Sequence, residues 1–260
     1  MYCASTSRCS VSLLTLLFML AMPGGIIAQH RAQQYPSGTG WAMQAMAALT
    51  GGTQVNGVTE SGQVTRTLGG DQESGTITMQ STGNTNSQIQ ISTGAGNRSE
   101  TRSWASDGSG PLGQWTGLDG QPHQMAQHNC WTDAVWFFPA LSMLSDYSDP
   151  TMVFNDLGPE QRNGHNVEHI QAYRSIPGAP SGPLTSLSTV DYYLDSQTAL
   201  PVAIAFFTHG DTDVNAAVPV EMVFSQYQSV SGILVPFQIT RMLNGSPLFQ
   251  ITITSAVPSG

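Results

Sequence analysis

Hydrophobic positions along the chain fall into blocks of different period. Residues 13–22 are an almost unbroken apolar run, ended by Gly24 and Gly25. Over residues 39–50, Trp41, Ala42, Ala45, Met46 and Leu49 recur at helical spacing; Thr39 is a candidate cap and Gly51-Gly52 the stop. From Gln54 to Trp104 the period becomes two. Ile77 and Met79 alternate with threonines, and Ile89 and Ile91 alternate with polar residues. The pattern predicts strands over 55–68 (interrupted near Gly62), 75–80, 86–92 and 98–104. Turns at Gly69-Gly70-Asp71, Gly83-Asn84 and residues 94–97 separate them. Such a succession is an antiparallel meander, apolar on one face and polar on the other.

Residues 105–121 are rich in glycine and aspartate, include Trp115, and read as a long loop. Residues 129–147 are the strongly apolar helical segment. Asn129 can cap it, Trp131, Val135, Phe138, Leu141 and Leu144 form a stripe of period 3.6, and Pro139 is expected to kink or split it. Asp149-Pro150 ends it. After residue 164 strands resume over 167–173, 189–194, 201–207, 218–227, 233–242 and 247–255. Asn244-Gly245 between two apolar runs is the strongest of the intervening hairpin signals. The sum is about ten strands and two helical regions without a long linker. That predicts an α+β, mainly β, single domain over 29–260, in which one large curved antiparallel sheet wraps around helices.

The first 28 residues read as a signal peptide. Arg8 supplies the positive start, the apolar run follows, and Ala28 is a small residue at the cleavage position. The run is too short to cross roughly 30 Å of hydrocarbon. Cys3 and Cys9 precede it, which is the wrong order for a lipid-anchor site. The expectation is export to the periplasm or beyond, with no membrane span left after cleavage.

Charge narrows the chemistry. All 8 basic residues are arginine, which excludes a Schiff-base lysine and the lysine of a P-loop. The 17 acidic residues all lie beyond position 59. A domain this acidic is repelled by nucleic acid and by anionic membrane surfaces. Only Cys130 lies outside the signal segment, so no intramolecular disulfide is expected there. Beside Trp131 it reads as a buried small hydrophobe.

Several constellations fall short of a site. His165 and His169, with Glu168 between them, lie in a strand pattern, where positions four apart are separated by about 13 Å. Asp211, Asp213 and Asn215 open like a calcium loop, but Ala216 and Met222 occupy the places of its glycine and closing glutamate. His123, His128 and Cys130 form a short Cys–His cluster without an activating partner in view. No GxSxG occurs. Asn97-Arg98-Ser99 and Asn244-Gly245-Ser246 match glycosylation triplets but fall in turns. No catalytic residue, metal or cofactor is expected.

The second half carries a more specific pattern. Residues 190–206, VDYYLDSQTALPVAIAF, give a strand, an aspartate turn and Leu-Pro opening the next strand. Residues 220–245, VEMVFSQYQSVSGILVPFQITRMLNG, add an aromatic strand end, a Ser-Gly turn, a Val-Pro-Phe strand and the Asn-Gly hairpin. Together they resemble the LolA/LolB/LppX-like family of exported lipoprotein-sorting and lipid-carrying proteins, over most of the chain after the signal segment. The resemblance implies an unclosed barrel of about eleven antiparallel strands with helices across its mouth. It also implies an apolar cavity for acyl chains or a lipoprotein. The expected lining is Met43, Met46, Trp131, Val135, Phe138, Leu141, Leu144, Tyr192, Ile204, Phe206, Met222, Phe224, Phe237 and Ile239, with Met125 and Met143 as further adaptable side chains. An envelope protein is a possible second partner. Two other readings stay open: a cell-envelope structural or interaction protein without a cavity, and an enzyme using Cys130 and the histidines.

Overall fold

The computed structural model describes residues 37–175 and 182–260; the signal segment expected at 1–28 lies outside them. Helix α1 (Gly38–Thr50) opens the described chain, as its apolar spacing predicts. Its cap is Ser37 rather than Thr39: the Ser37 side chain accepts from the Gly40 N–H at 3.3 Å. Gly51, at φ 58°, ends it by donating to the Ala47 carbonyl. The start of α1 presses on the sheet so closely that a Cβ on Gly38 would lie 2.4 Å from the Phe154 carbonyl oxygen.

Strands β1 (Gly57–Leu68), β2 (Asp71–Thr82), β3 (Asn86–Thr93), β4 (Gly96–Trp104), β5 (Pro111–Thr116) and β6 (Pro122–Gln124) form the first meander. β7 (Met152–Arg162), β8 (His165–Arg174), a short helix α2 (Pro183–Leu187), β9 (Val190–Asp195), β10 (Pro201–Gly210), β11 (Asp213–Val230), β12 (Ile233–Leu243) and β13 (Ser246–Ser259) form the second. All belong to one 13-stranded antiparallel sheet in the order β6-β5-β4-β3-β2-β1-β13-β12-β11-β10-β9-β8-β7. The two meanders run outward from a central seam, where β1 pairs with β13. Among the described residues no ladder joins the edge strands β6 and β7, so the barrel is unclosed.

The sheet is strongly curved, and a single short turn demonstrates it. The 3₁₀ turn Gln127–Asn129 lies in the segment that leaves β6 for the opposite edge. Just before it, the Met125 N–H donates to the Gly113 carbonyl of β5. At its end, Asn129 donates to the His209 carbonyl of β10 at 2.8 Å and accepts from the His209 N–H at 2.7 Å. Eight strand spacings separate β5 from β10 along the sheet, ~38 Å if it were flat. Only a curled sheet brings both within reach of one turn.

The rest of the crossover, residues 130–151, also ties the two halves together. Asp146 accepts from Asn84, in the β2–β3 turn, and from Arg174 of β8. This segment corrects the helix expected over 129–147. It is a chain of turns with 3₁₀ pieces at Pro139–Leu141 and Met143–Asp146. Val135, Trp136, Phe137 and Phe138 are four successive buried residues, whereas a covering helix would leave one side wet. Side chains replace the missing helical hydrogen bonds: Ser142 Oγ accepts from the Leu144 N–H, and buried Asp133 accepts from Tyr192 Oη at 2.7 Å.

Two further expectations change. The loop expected over 105–121 contains β5 and leads into β6. β7 lies in a stretch to which the sequence pattern assigned no element. In the structure Gly158, at φ 94°, follows a bulge at Leu157, and β7 is an edge strand, where proline is tolerated. The interruption expected near Gly62 is a bulge in the partner strand: Ser61 faces Ser255 and Gly62 faces Ile253, leaving Thr254 extra on β13.

Candidate ligand-binding cleft

The inner face of the sheet is covered unevenly. α1 packs against β7, β8 and β12, and the crossover fills the middle. Toward β2–β5 a half-open cleft of about 460 Å³ remains, over floor residues that are still largely buried. Its floor is set by strand parity. Ile77 faces Ile91 across β2 and β3, and Ile89 is two residues from Ile91 on the same face. Trp136 of the crossover and Phe249 of β13 wall it; Trp115 and Leu118, 38 % and 54 % exposed, stand at its mouth.

Charge enters on the next strand. In register, Arg98 sits opposite Ile91, Glu100 opposite Ile89 and Arg102 opposite Ser87, so β4 turns an Arg-x-Glu-x-Arg pattern inward. Arg102 donates to Glu100 at 2.9 Å and to the Asn129 carbonyl at 3.2 Å. Burial works against ionisation of Glu100, but Arg102 and Arg241 more than offset it and hold the carboxyl below its ordinary value. A second row crosses the seam: Glu73 faces Arg66, Arg66 faces Phe249, and Phe249 faces Arg241. Glu73 accepts from Arg98 at 2.8 and 3.0 Å and from Arg66 at 3.5 Å. The Arg98 hydrogen bonds lead in holding its carboxyl below the usual value.

Arg241 is the least satisfied member. Its guanidinium lies over the Trp136 ring, 5.1 Å from the centroid. Glu100 Oε2 is 3.9 Å away, beyond hydrogen-bond distance, and Arg241 Nε is buried without a partner. Burial pulls its pKa below the ordinary arginine value. A bulge beside it makes Leu248 the extra residue on β13, so the consecutive Leu248 and Phe249 both reach the cleft.

A putative outer membrane lipoprotein-sorting protein domain from Vibrio parahaemolyticus superposes with a TM-score of 0.51 at 10% identity, covering 84% of this chain and 91% of that one. A DUF1329 family protein from Desulfovibrio piger gives 0.53 at 11%, covering 85% and 92%. A LolA superfamily protein from Nitrosomonas europaea gives 0.50 at 9%, covering 86% and 94%. The chain has the LolA-like fold. No family model and no curated protein matches the sequence.

Within this LolA-like sheet, the residues expected to line a cavity are placed as follows. Val135, Phe138, Leu141, Leu144, Tyr192, Ile204, Phe206, Met222, Phe224 and Ile239 are buried in the main core. Met46 and Phe237 pack against it, half-buried. Met43 is 51 % exposed. Trp131 stands edge-on to Trp104 at 5.7 Å. None of them lines the cleft described above. The signal for that cleft was the period-two run Arg98-x-Glu100-x-Arg102, beside a strand whose apolar face Ile89 and Ile91 define.

The rejected constellations resolve locally. His165 and His169 face separate acids, Asp195 at 3.4 Å and Asp191 at 3.0 Å. Asp211 lies in a hairpin turn, and Asp213 accepts from the Asn215 N–H. His128 contacts the Gly210 carbonyl. Cys130 is buried and points its thiol at the Ala126 carbonyl. Burial pushes its pKa up, the opposite of nucleophile activation. Native Cys130 is expected to react with a disulfide reagent about a hundredfold more slowly than in the urea-unfolded chain. Equal rates would contradict this environment.

Proposed function

We propose that the protein is a carrier for a hydrophobic ligand, seated in the cleft over Ile77, Ile89 and Ile91, and that it performs no catalysis. The observation that carries this is the cleft itself. A volume of about 460 Å³ falls within the range of small-molecule sites, and its mainly apolar lining with a few convergent polar groups is the usual composition of one. Each buried methylene contributes roughly 0.8 kcal/mol, so an acyl chain suits that floor. Lipoprotein sorting, named for the Vibrio protein, is compatible with such a cargo. Residues 1–28 as an export signal and 29–260 as the carrier domain, acting in the periplasm or outside the cell, belong to the same proposal. No helix among the described residues is long and apolar enough to cross a membrane.

The test is fluorescence titration with N-phenyl-1-naphthylamine, a neutral apolar probe. Saturable enhancement is expected. Ile91→Trp, which fills the floor, is expected to weaken binding at least about tenfold, because the space the probe needs is removed. Absence of saturable binding, or identical binding by the filled variant, would reject the cleft as the site.

A further inference from the structure

Four of the six arginines among the described residues gather at one place. The chain has 8 basic residues against 17 acidic ones. Yet Arg66, Arg98 and Arg241 all line the cleft, with Glu100 the single acid among its lining residues. Behind the lining, Glu73 bridges Arg66 and Arg98, and Arg102 bridges Glu100. The cluster therefore carries four arginines and two glutamates, a formal excess of two positive charges inside an acidic protein. Concave, low-dielectric walls focus such a field on whatever enters.

The hydrogen bonds show where capacity is left. Arg98 is committed to Glu73 through two short bonds, and Arg102 to Glu100 and the Asn129 carbonyl. Arg66 has one long bond of 3.5 Å to Glu73. Arg241 makes none among the described residues, and its buried Nε is orphaned. These two under-used guanidiniums flank Phe249, which is in register with both. A buried arginine donor without an acceptor costs free energy that an incoming anion would recover.

We propose that the ligand is an anionic amphiphile whose chain lies over Ile77, Ile89 and Ile91 and whose carboxylate or phosphate head is held above Phe249 by Arg241 and Arg66. This rests on the cleft being the ligand site, and it adds the chemistry of the head. Neutral chains then bind weakly, and cationic ones are repelled.

Displacement of N-phenyl-1-naphthylamine by a matched C12 series separates the two readings. Dodecanoate and dodecyl phosphate are expected to displace the probe at concentrations at least about tenfold lower than dodecanol, a difference typical of one charge-assisted contact. Inorganic phosphate alone is expected to displace nothing. Arg241→Met is expected to shrink the gap between dodecanoate and dodecanol to about threefold or less. Near-UV circular dichroism checks that the variant keeps its packing, and the wild-type series stands without it. Equal displacement by dodecanol and dodecanoate would overturn the proposal and leave the cleft as a neutral site. Displacement by inorganic phosphate as effective as by dodecyl phosphate would overturn it in favour of a plain anion site. If the probe never binds, the carrier reading fails first and this one with it.

Discussion

Phe138→Ala is expected to lower the unfolding free energy by about 3–5 kcal/mol, the cost of removing a fully buried aromatic ring and leaving a cavity. Phe138 has no exposure and belongs to the main core. It immediately precedes the turn Pro139–Leu141, in a segment whose shape is held by packing and side-chain bonds rather than by a helix. Urea denaturation measures it as a lower midpoint at similar slope. Phe237→Ala, at a half-buried site against the same core, is expected to cost less than half as much. Because Phe138 does not line the cleft, folded Phe138→Ala should bind the naphthylamine probe like the parent. Equal costs for the two phenylalanines would contradict the difference in burial on which this ranking rests.

That segment also marks where local pattern stops informing on this fold. Period-two alternation located β2 and β3, because Ile77, Met79, Ile89 and Ile91 each repeat on a face with one wet side. The Asn244-Gly245 hairpin followed from turn chemistry, and both residues adopt positive φ, 48° and 75°. Over 129–147 the stripe Trp131, Val135, Phe138, Leu141 and Leu144 counted correctly as helical spacing. But Trp136, Phe137, Ala140 and Met143, which lie between those positions, are buried too. The conformation is set by the two ends of a curled sheet that the segment must bridge, a long-range demand that no window of residues contains. β7 was hidden for a related reason: Gly158-Pro159 is unsuitable for a central strand, and only the topology puts it at an edge. The floor of the cleft could be read from Ile89 and Ile91, and its charges from Arg98, Glu100 and Arg102. Its Arg66–Phe249–Arg241 row required the β1–β13 seam, which pairs residues from opposite ends of the chain.

Glu60→Met is expected to raise stability, by roughly 1–3 kcal/mol at neutral pH, the range for relieving a buried polar group that has no partner. Glu60 lies on the inner face of β1, opposite Met79 on one side and Ala256 on the other, fully buried. Neither carboxylate oxygen has a hydrogen-bond partner, and the nearby Ser81 hydroxyl, on the diagonal of the β1–β2 pair, is also unpaired. Burial raises the carboxyl well above its ordinary value of 4.5. The folded state therefore holds a proton that the unfolded chain releases, and stability falls as pH rises from about 4.5 toward the folded-state pKa. Asp133, raised to about 6 by burial, and Glu168 act in the same direction, so the slope of the parent protein alone cannot isolate Glu60. The difference between variant and parent does isolate it, since those groups are common to both. That difference, measured by urea unfolding, should widen as pH rises above about 4.5, the ordinary carboxyl value. A gap that stays constant would mean Glu60 titrates alike in both states, and a gap of opposite sign would mean the carboxylate is paired after all.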